Sequence, residues 1–457
     1  MIRKIFFRIL LSFRILLSCI LIILIVDNSY ANDYSSIIAD KLIHNFVNGD
    51  YVLARENFDE TLMKMLSEDV LKLTWDKTVA MFGTYKGLSD SITSKKILEY
   101  DVFYRKIYFE NITLNVEISV SKTHKVSGFR FIPINNDINS EEYIDADYVD
   151  KCKFKEVELI FADKILTGKL TLPFEAESRK VPIVILVHGS GPNDLDETIY
   201  KSKPFRDIAY GLSSKGIAVF RYNKRTFADK NIDLTTITIE KETVFDVVEA
   251  VKLVNNTYKD KFSSIYILGH SQGGYVMPKI AKLIPEANGF ILLAANARSI
   301  CELLLEQYQY IFSLPENNID KETIDINKEF YKQIEISCKR ILDKEYDINT
   351  SSTLLPLNIP ASYWLALQDY NPVKDFEKET RDILFIQGGR DYQVTLEDFN
   401  LWKSNLSRPQ NKFVLFDDLN HLMQIGKNKS TPQEYKTKNF VDIKVIEEIV
   451  NWVKSKQ

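Results

Sequence analysis

Ser271 sits at the centre of Gly269-His270-Ser271-Gln272-Gly273, a G-x-S-x-G run. An apolar, β-branched stretch from Ile265 precedes it, and a helical pattern from Tyr275 through Leu283 follows. A serine on so sharp a strand-to-helix turn takes strained backbone angles and lifts its hydroxyl above the sheet. The flanking glycines leave room for the helix to pass close to the strand. The helix N-terminus behind the serine favours developing negative charge. The chemistry that this arrangement serves is nucleophilic attack. It requires three further parts: a base, a residue that orients the base, and donors for an oxyanion.

The chain has five histidines, at 44, 124, 188, 270 and 421. His44 and His124 fall in a separate N-terminal region, and His188 and His270 sit inside glycine motifs that flank the serine. His421, in a loop after the final expected strand, is therefore the base. The acid should precede it in the chain. Asp391 follows a buried-strand pattern and a turn opened by Gly388-Gly389, while Asp417 and Asp418 are rivals too close in sequence to His421 for an easy approach. Two backbone N–H groups must meet the oxyanion. Gln272, just after the nucleophile, supplies one. The loop His188-Gly189-Ser190-Gly191 supplies the other, with Ser190 preferred and Gly191 the alternative. His188 itself reads as a brace for that loop.

The elements that must position these residues alternate between strand and helix from Lys151 to Gln457, which predicts an α/β domain with a mostly parallel sheet covered on both faces. Strands are expected at Val157–Phe161 and Lys169–Leu172 (an opening hairpin), Val181–Val187, Ile217–Tyr222, Phe290–Ala294, Asp382–Gln387 and Phe413–Phe416. Helices are expected at Phe205–Leu212, Lys241–Val254 and Ile443–Val453. The insertion at about 296–379 is longer than one crossover requires, and Ile300–Phe312 and Ile324–Leu342 within it are helical in pattern. Tyr308, Tyr310, Phe312, Tyr363 and Trp364 are its candidate pocket residues.

The stretches His188–Thr198, Lys203–Leu212, Lys215–Thr226 and Gly269–Gly274 resemble bacterial carboxylesterases of the α/β-hydrolase superfamily. The resemblance covers most of Lys151–Gln457. It implies an α/β-hydrolase fold with a cap over the nucleophile and a triad at Ser271, Asp391 and His421. The implied activity is hydrolysis of small to medium acyl esters through an acyl-enzyme, with a small-molecule ester as partner. The superfamily also holds serine aminopeptidase-like members. A peptidase would need acidic residues to hold a substrate amine, and Glu302, Glu306 and Asp375 are candidates. A catalytically inert binding protein would have lost part of the triad, and none of its three positions departs from the family pattern.

Ahead of this domain, residues 32–134 read as helices followed by three strands, a small α+β domain. The stretch is similar to a domain of unknown function often found before secreted hydrolases and thought to share the fold of nuclear transport factor 2. It is a candidate contact surface for cell-envelope material or a second copy of the chain. Residues 135–150, rich in Asn, Asp and Glu, read as a linker. Met1–Ala31 reads as an export signal: Arg3, Lys4, Arg8 and Arg14 lead the apolar run Ile15–Val26, and Ser29-Tyr30-Ala31 offers small residues for cleavage. An uncleaved membrane anchor is the alternative. The net charge of −4 and the lack of a basic patch interleaved with aromatics exclude a nucleic-acid partner. No metal or cofactor is expected, since no Cys/His spacing resembles a metal site. Cys301 and Cys338 fall in one segment and could pair; free buried thiols are the alternative.

Overall fold

The computed structural model describes residues 33–97, 100–110, 112–133, 143–229, 232–315 and 321–456. The export signal and residues 135–142 of the expected linker lie outside the described residues. Two compact units divide the chain. Within the described residues the first comprises 33–144 with 315 and 321–325, and the second comprises 145–314 and 326–456.

The first unit opens with the helix Asp33–Val47, turns at Asn48-Gly49-Asp50, and continues through short helices to Glu68–Phe82. Four antiparallel strands follow in sequential order: β1 (Tyr85–Ile97), β2 (Tyr100–Phe109), β3 (Ile112–Ser121) and β4 (Val126–Pro133). The sequence pattern predicts three strands and misses β1. That strand is at the edge of the sheet, carries Lys, Ser, Asp and Thr along most of its length, and breaks register between Leu88 and Ile92. It therefore lacks the apolar alternation by which strands are recognised.

The second unit is an eight-stranded sheet. Its strands are β5 (Phe154–Phe161), β6 (Leu166–Pro173), β7 (Val181–Val187), β8 (Ala218–Tyr222), β9 (Phe262–His270), β10 (Gly289–Leu293), β11 (Asp382–Gly388) and β12 (Asn411–Phe416). The order is β12-β11-β10-β9-β7-β8-β6-β5. From β8 to β12 every pairing is parallel, and β6 joins its neighbours antiparallel. This is the expected α/β-hydrolase architecture. Alternate residues of β7 serve opposite faces: Ile183, Ile185 and Val187 pack on one side, Val184 and Leu186 on the other. The helices Phe245–Tyr258 and Met277–Leu283 cover the first face, while Pro204–Ser213 and Ile443–Ser455 cover the second.

Two departures from the expected elements matter for the site. The expected helix at Lys241–Val254 begins as a π-helical turn, Glu240–Val244, which leaves Glu242 buried. Such turns are frequent at functional sites. At the other end, Asp145–Asp150 of the expected linker belong to the second unit. Asp145 pairs with Arg206 and Lys151, and Tyr148 donates to the Val441 carbonyl. Among the described residues no helix is long and apolar enough to cross a membrane.

Candidate active site

β7 and β9 are neighbours in the sheet, but the chain reaches β9 only after passing through β8 on the other side of β7. Crevices form where strand order reverses in this way. The loop after β7 carries His188–Gly191, and the turn after β9 carries Ser271, so the two expected glycine motifs meet at that crevice. Ser271 has φ 52 and ψ −119, a conformation that costs a non-glycine residue on the order of 1–3 kcal/mol. The turn is close-packed: a Cβ on Gly269 would lie 2.4 Å from the Gly273 carbonyl carbon, and one on Gly273 would lie 2.4 Å from the Val187 oxygen. The Ser271 amide donates to the Leu293 carbonyl of β10 at 2.9 Å, which fixes the turn from the other side.

Asp391 follows β11 and is buried. Its Oδ2 lies 2.7 Å from His421 Nδ1, and its Oδ1 accepts from the Gln393 and Val394 amides at 2.7 and 3.0 Å. The loop after β12 brings His421 to the nucleophile turn: its carbonyl accepts from His270 Nε2 at 3.0 Å, and the two rings are 4.7 Å apart. The rival acids point elsewhere. Asp418 pairs with Lys444 at 2.7 Å, and Asp417 is exposed. Among the described residues no hydrogen bond joins Ser271 Oγ to His421, a contact that is commonly long before substrate binds. The Gln272 amide, one expected oxyanion donor, likewise has no protein acceptor among the described residues. His188 is buried, with its ring stacked on Phe205 and its Nε2 donating to the Tyr222 carbonyl. Burial pushes its pKa down despite the nearby Glu197.

A cavity of about 980 Å³, part of it open to solvent, lies over Ser271. Ser190, Gly191, Ser271 and Gln272 line its floor, and Ile300, Leu303, Leu304, Leu357 and Ile359 line its apolar wall. Of the five expected aromatic pocket residues, Tyr363 alone lines it. Tyr308 and Trp364 are buried in the cap's own core with Cys301 and Cys338, and Phe312 packs against that core. Tyr310 packs beside Tyr392, and its hydroxyl donates to the Ser430 carbonyl. On the helix Ile300–Ser313, Cys301, Leu304 and Tyr308 turn inward to the cap's core, while Ile300 and Leu303, with Leu304, reach the cavity. Cys301 and Cys338 are free thiols.

Three residues that the sequence did not single out support the site: Glu242 lines the cavity, and Lys224 and Glu197 are buried beside it. Lys224 is buried and donates to the Gly189 carbonyl and to Glu242 Oε1, each at 2.8 Å. Glu242 Oε2 accepts from Gln272 Nε2 and from the Tyr363 hydroxyl. This network links the loop after β7, the residue after the nucleophile and the cap. Glu197, beside His270, is the third. The π-helical turn was not legible, and nothing in the sequence sets Lys224 or Glu197 apart from the charged residues around them.

Comparison with known proteins gives the family. Residues 39–129 match a family described as a protein of unknown function (DUF3887), and residues 179–314 match one described as serine aminopeptidase, S33. Over 411 residues, 88% of this chain and 92% of the relative, the sequence is 37% identical to Esterase EstD of Thermotoga maritima. The chain belongs to the α/β-hydrolase family of bacterial serine esterases. Among solved structures, Pyrococcus furiosus esterase Pf2001 matches 66% of this hydrolase and 91% of its own chain, with 16% identity and a TM-score of 0.41. Est1E from Butyrivibrio proteoclasticus matches 66% and 98%, with 17% identity and a TM-score of 0.40. Likenesses that slight carry none of the argument. The acids expected to hold a peptidase substrate's amine are engaged elsewhere. Glu302 closes the capping box with Ser299, Glu306 pairs with Arg298, and Asp375 pairs with Lys282.

Proposed function

We propose that this hydrolase is an exported carboxylesterase for small to medium acyl esters, acting through an acyl-enzyme on Ser271. The observation that carries the reading is the Asp391–His421 pair, held at 2.7 Å beside a strained serine under an apolar cavity. His421 Nε2 takes the Ser271 proton as Oγ attacks the ester carbonyl. The Gln272 and Ser190 amides, with Gly191 the alternative to Ser190, meet the oxyanion. The C–O bond to the alcohol breaks, and the alcohol leaves with the proton from His421. Water then gives a proton to His421 and its oxygen to the acyl carbon, and Ser271 departs with that proton. Asp391 holds the imidazole in the tautomer this cycle needs.

The esterase reading is preferred to the peptidase one by the cavity lining. Among the described residues its one carboxylate is Glu242, whose charge is met by Lys224, so nothing there favours a substrate ammonium. Export rests on the sequence of Met1–Ala31, and the first unit is proposed as the part that meets the cell envelope or another copy of the chain.

The test uses the chain from Asn32 and its Ser271→Ala form, assayed on p-nitrophenyl esters of increasing acyl length and on aminoacyl p-nitroanilides. Ester turnover should vanish in Ser271→Ala, and anilides should be poor substrates. Faster anilide cleavage would move the assignment to a peptidase. Leu303→Trp, which fills the apolar wall, should raise KM for the longest accepted ester about tenfold while changing acetate turnover little.

A further inference from the structure

The loop between β7 and the helix Pro204–Ser213 contains Asn193-Asp194-Leu195-Asp196-Glu197-Thr198, and the mechanism above uses none of it. Two of its acids hold the loop together. Asp194 accepts from the Thr198 amide and hydroxyl, and Asp196 pairs with the buried Arg221 and with Lys203. Glu197 differs from both. It is buried, and its φ of 51 lies in the left-handed region that a non-glycine residue enters at a cost. Burying a carboxylate is also costly unless it is paired.

Its two oxygens face opposite sides of the crevice. Oε1 accepts from the Gly189 amide at 2.7 Å. Oε2 lies 2.8 Å from His270 Nδ1, an ion-pair contact rather than an aligned hydrogen bond. His270 Nε2 donates in turn to the His421 carbonyl at 3.0 Å. The strand of contacts therefore runs from the loop that carries Ser190, through Glu197 and the residue before Ser271, to the backbone of the base. Gly189 is close to the nucleophile itself: a Cβ there would be 3.3 Å from both Glu197 Oε1 and Ser271 Cβ.

We propose that Glu197 is a positioning residue: by holding the Gly189 amide and the His270 imidazole together, it fixes the oxyanion loop and the His421 loop relative to Ser271. This rests on the Ser271 mechanism proposed above. It deepens that mechanism by assigning the conformation of both loops to one side chain that touches no reacting atom. A displacement of about 1 Å at a reacting group costs on the order of 100-fold in rate, so a single misplaced anchor is visible in kcat.

Two conservative substitutions separate position from charge. Glu197→Gln removes the charge and keeps the span: its amide oxygen accepts from Gly189, and its NH2 donates to Nδ1 of a neutral His270 that still donates from Nε2. Glu197→Asp keeps the charge but is one methylene too short to reach both partners. The two variants, Glu197→Ala and Ser271→Ala are assayed on one p-nitrophenyl ester, with thermal unfolding recorded for each. The expected result is kcat for Gln within about fivefold of wild type and for Asp about 30-fold or more below it, with KM within about threefold for both. Ala should fall at least as far as Asp. The proposal is overturned if Asp retains wild-type kcat, or if Gln falls as far as Asp. Should Ala fail to fold, the order of Gln and Asp decides alone. Full turnover by Ser271→Ala would sink the mechanism and the proposal together. Abolished turnover there, with Glu197 variants in the wrong order, would sink the proposal alone.

Discussion

Two buried carboxylate–imidazole pairs lie side by side at the crevice, Asp391 with His421 and Glu197 with His270. They look alike at the contact: 2.7 Å in the first, 2.8 Å in the second, both on Nδ1. They differ at the far nitrogen. His270 Nε2 is committed to the His421 carbonyl, whereas His421 Nε2 has no protein partner among the described residues. They differ also in protonation. Burial alone would push the His270 pKa down and the Glu197 pKa up, yet each partner outweighs it for the other, so His270 is raised and Glu197 lowered. The raised pKa favours the charged imidazolium, whose Nδ1 faces the Glu197 carboxylate while Nε2 donates to the His421 carbonyl. The comparison teaches that proximity to a carboxylate does not make a base. A ring must keep one nitrogen available to move a proton, and the ring whose two nitrogens are both engaged can only hold.

The largest effect is expected at the first pair. Asp391→Asn should lower kcat by about 10³-fold or more, because the wrong tautomer is then favoured. Asp418→Asn, at the surface pair with Lys444, should stay within about twofold. Equal losses in the two would break the assignment of the acid. Next is His270→Phe, which leaves Glu197 buried without its cation and the His421 carbonyl without its donor. A denaturant titration should show about 3–5 kcal/mol of lost stability. In the folded fraction kcat should fall tens-fold with KM little changed. A wild-type kcat would deny that the second pair holds anything.

The smallest effect is in the pH dependence of stability. A raised His270 pKa stabilises fully below the ordinary histidine value of 6.5 and loses that contribution as pH rises through the raised value. A lowered Glu197 pKa stabilises fully above the ordinary carboxylate value of 4.5 and loses it as pH falls through the lowered value. The excess thermal stability of wild type over Glu197→Gln should therefore be greatest between those two ordinary values and shrink on either side. His188, 4.0 Å from Glu197, and Asp391 face the same pair and also shape the profile. An excess that grows steadily with pH would contradict the charged state of His270.

Much of the first pair was legible in the sequence, and almost none of the second. Ser271 is announced by its glycines and by the strand and helix around it. His421 follows from the scarcity of histidines, and Asp391 from its place after a buried strand. Those signals are local. Glu197 and Lys224 sit among other charges in loop segments, where a solvated surface gives the same pattern, and only the folded crevice shows that both are buried. The cap failed for a related reason. Periodicity located the helix Ile300–Ser313, but it could not say which of its apolar residues pack inward. Cys301, Leu304 and Tyr308 pack into the cap's own core, and Ile300 and Leu303, with Leu304, line the cavity. β1 was missed because an edge strand need not be apolar.

The Tyr363 hydroxyl, donating to Glu242 beside Gln272, bears on how such enzymes can be recombined. Inserts over the nucleophile are often regarded as interchangeable modules, free to be swapped for a new specificity. Here the module contributes a ligand to a buried polar knot whose other members belong to the host. A chimera that replaced residues 296–379 whole would remove that phenol and leave Glu242 and Gln272 to rearrange directly under the nucleophile. The compatible graft retains the helix Ala361–Leu367 with the host and exchanges only what lies before it.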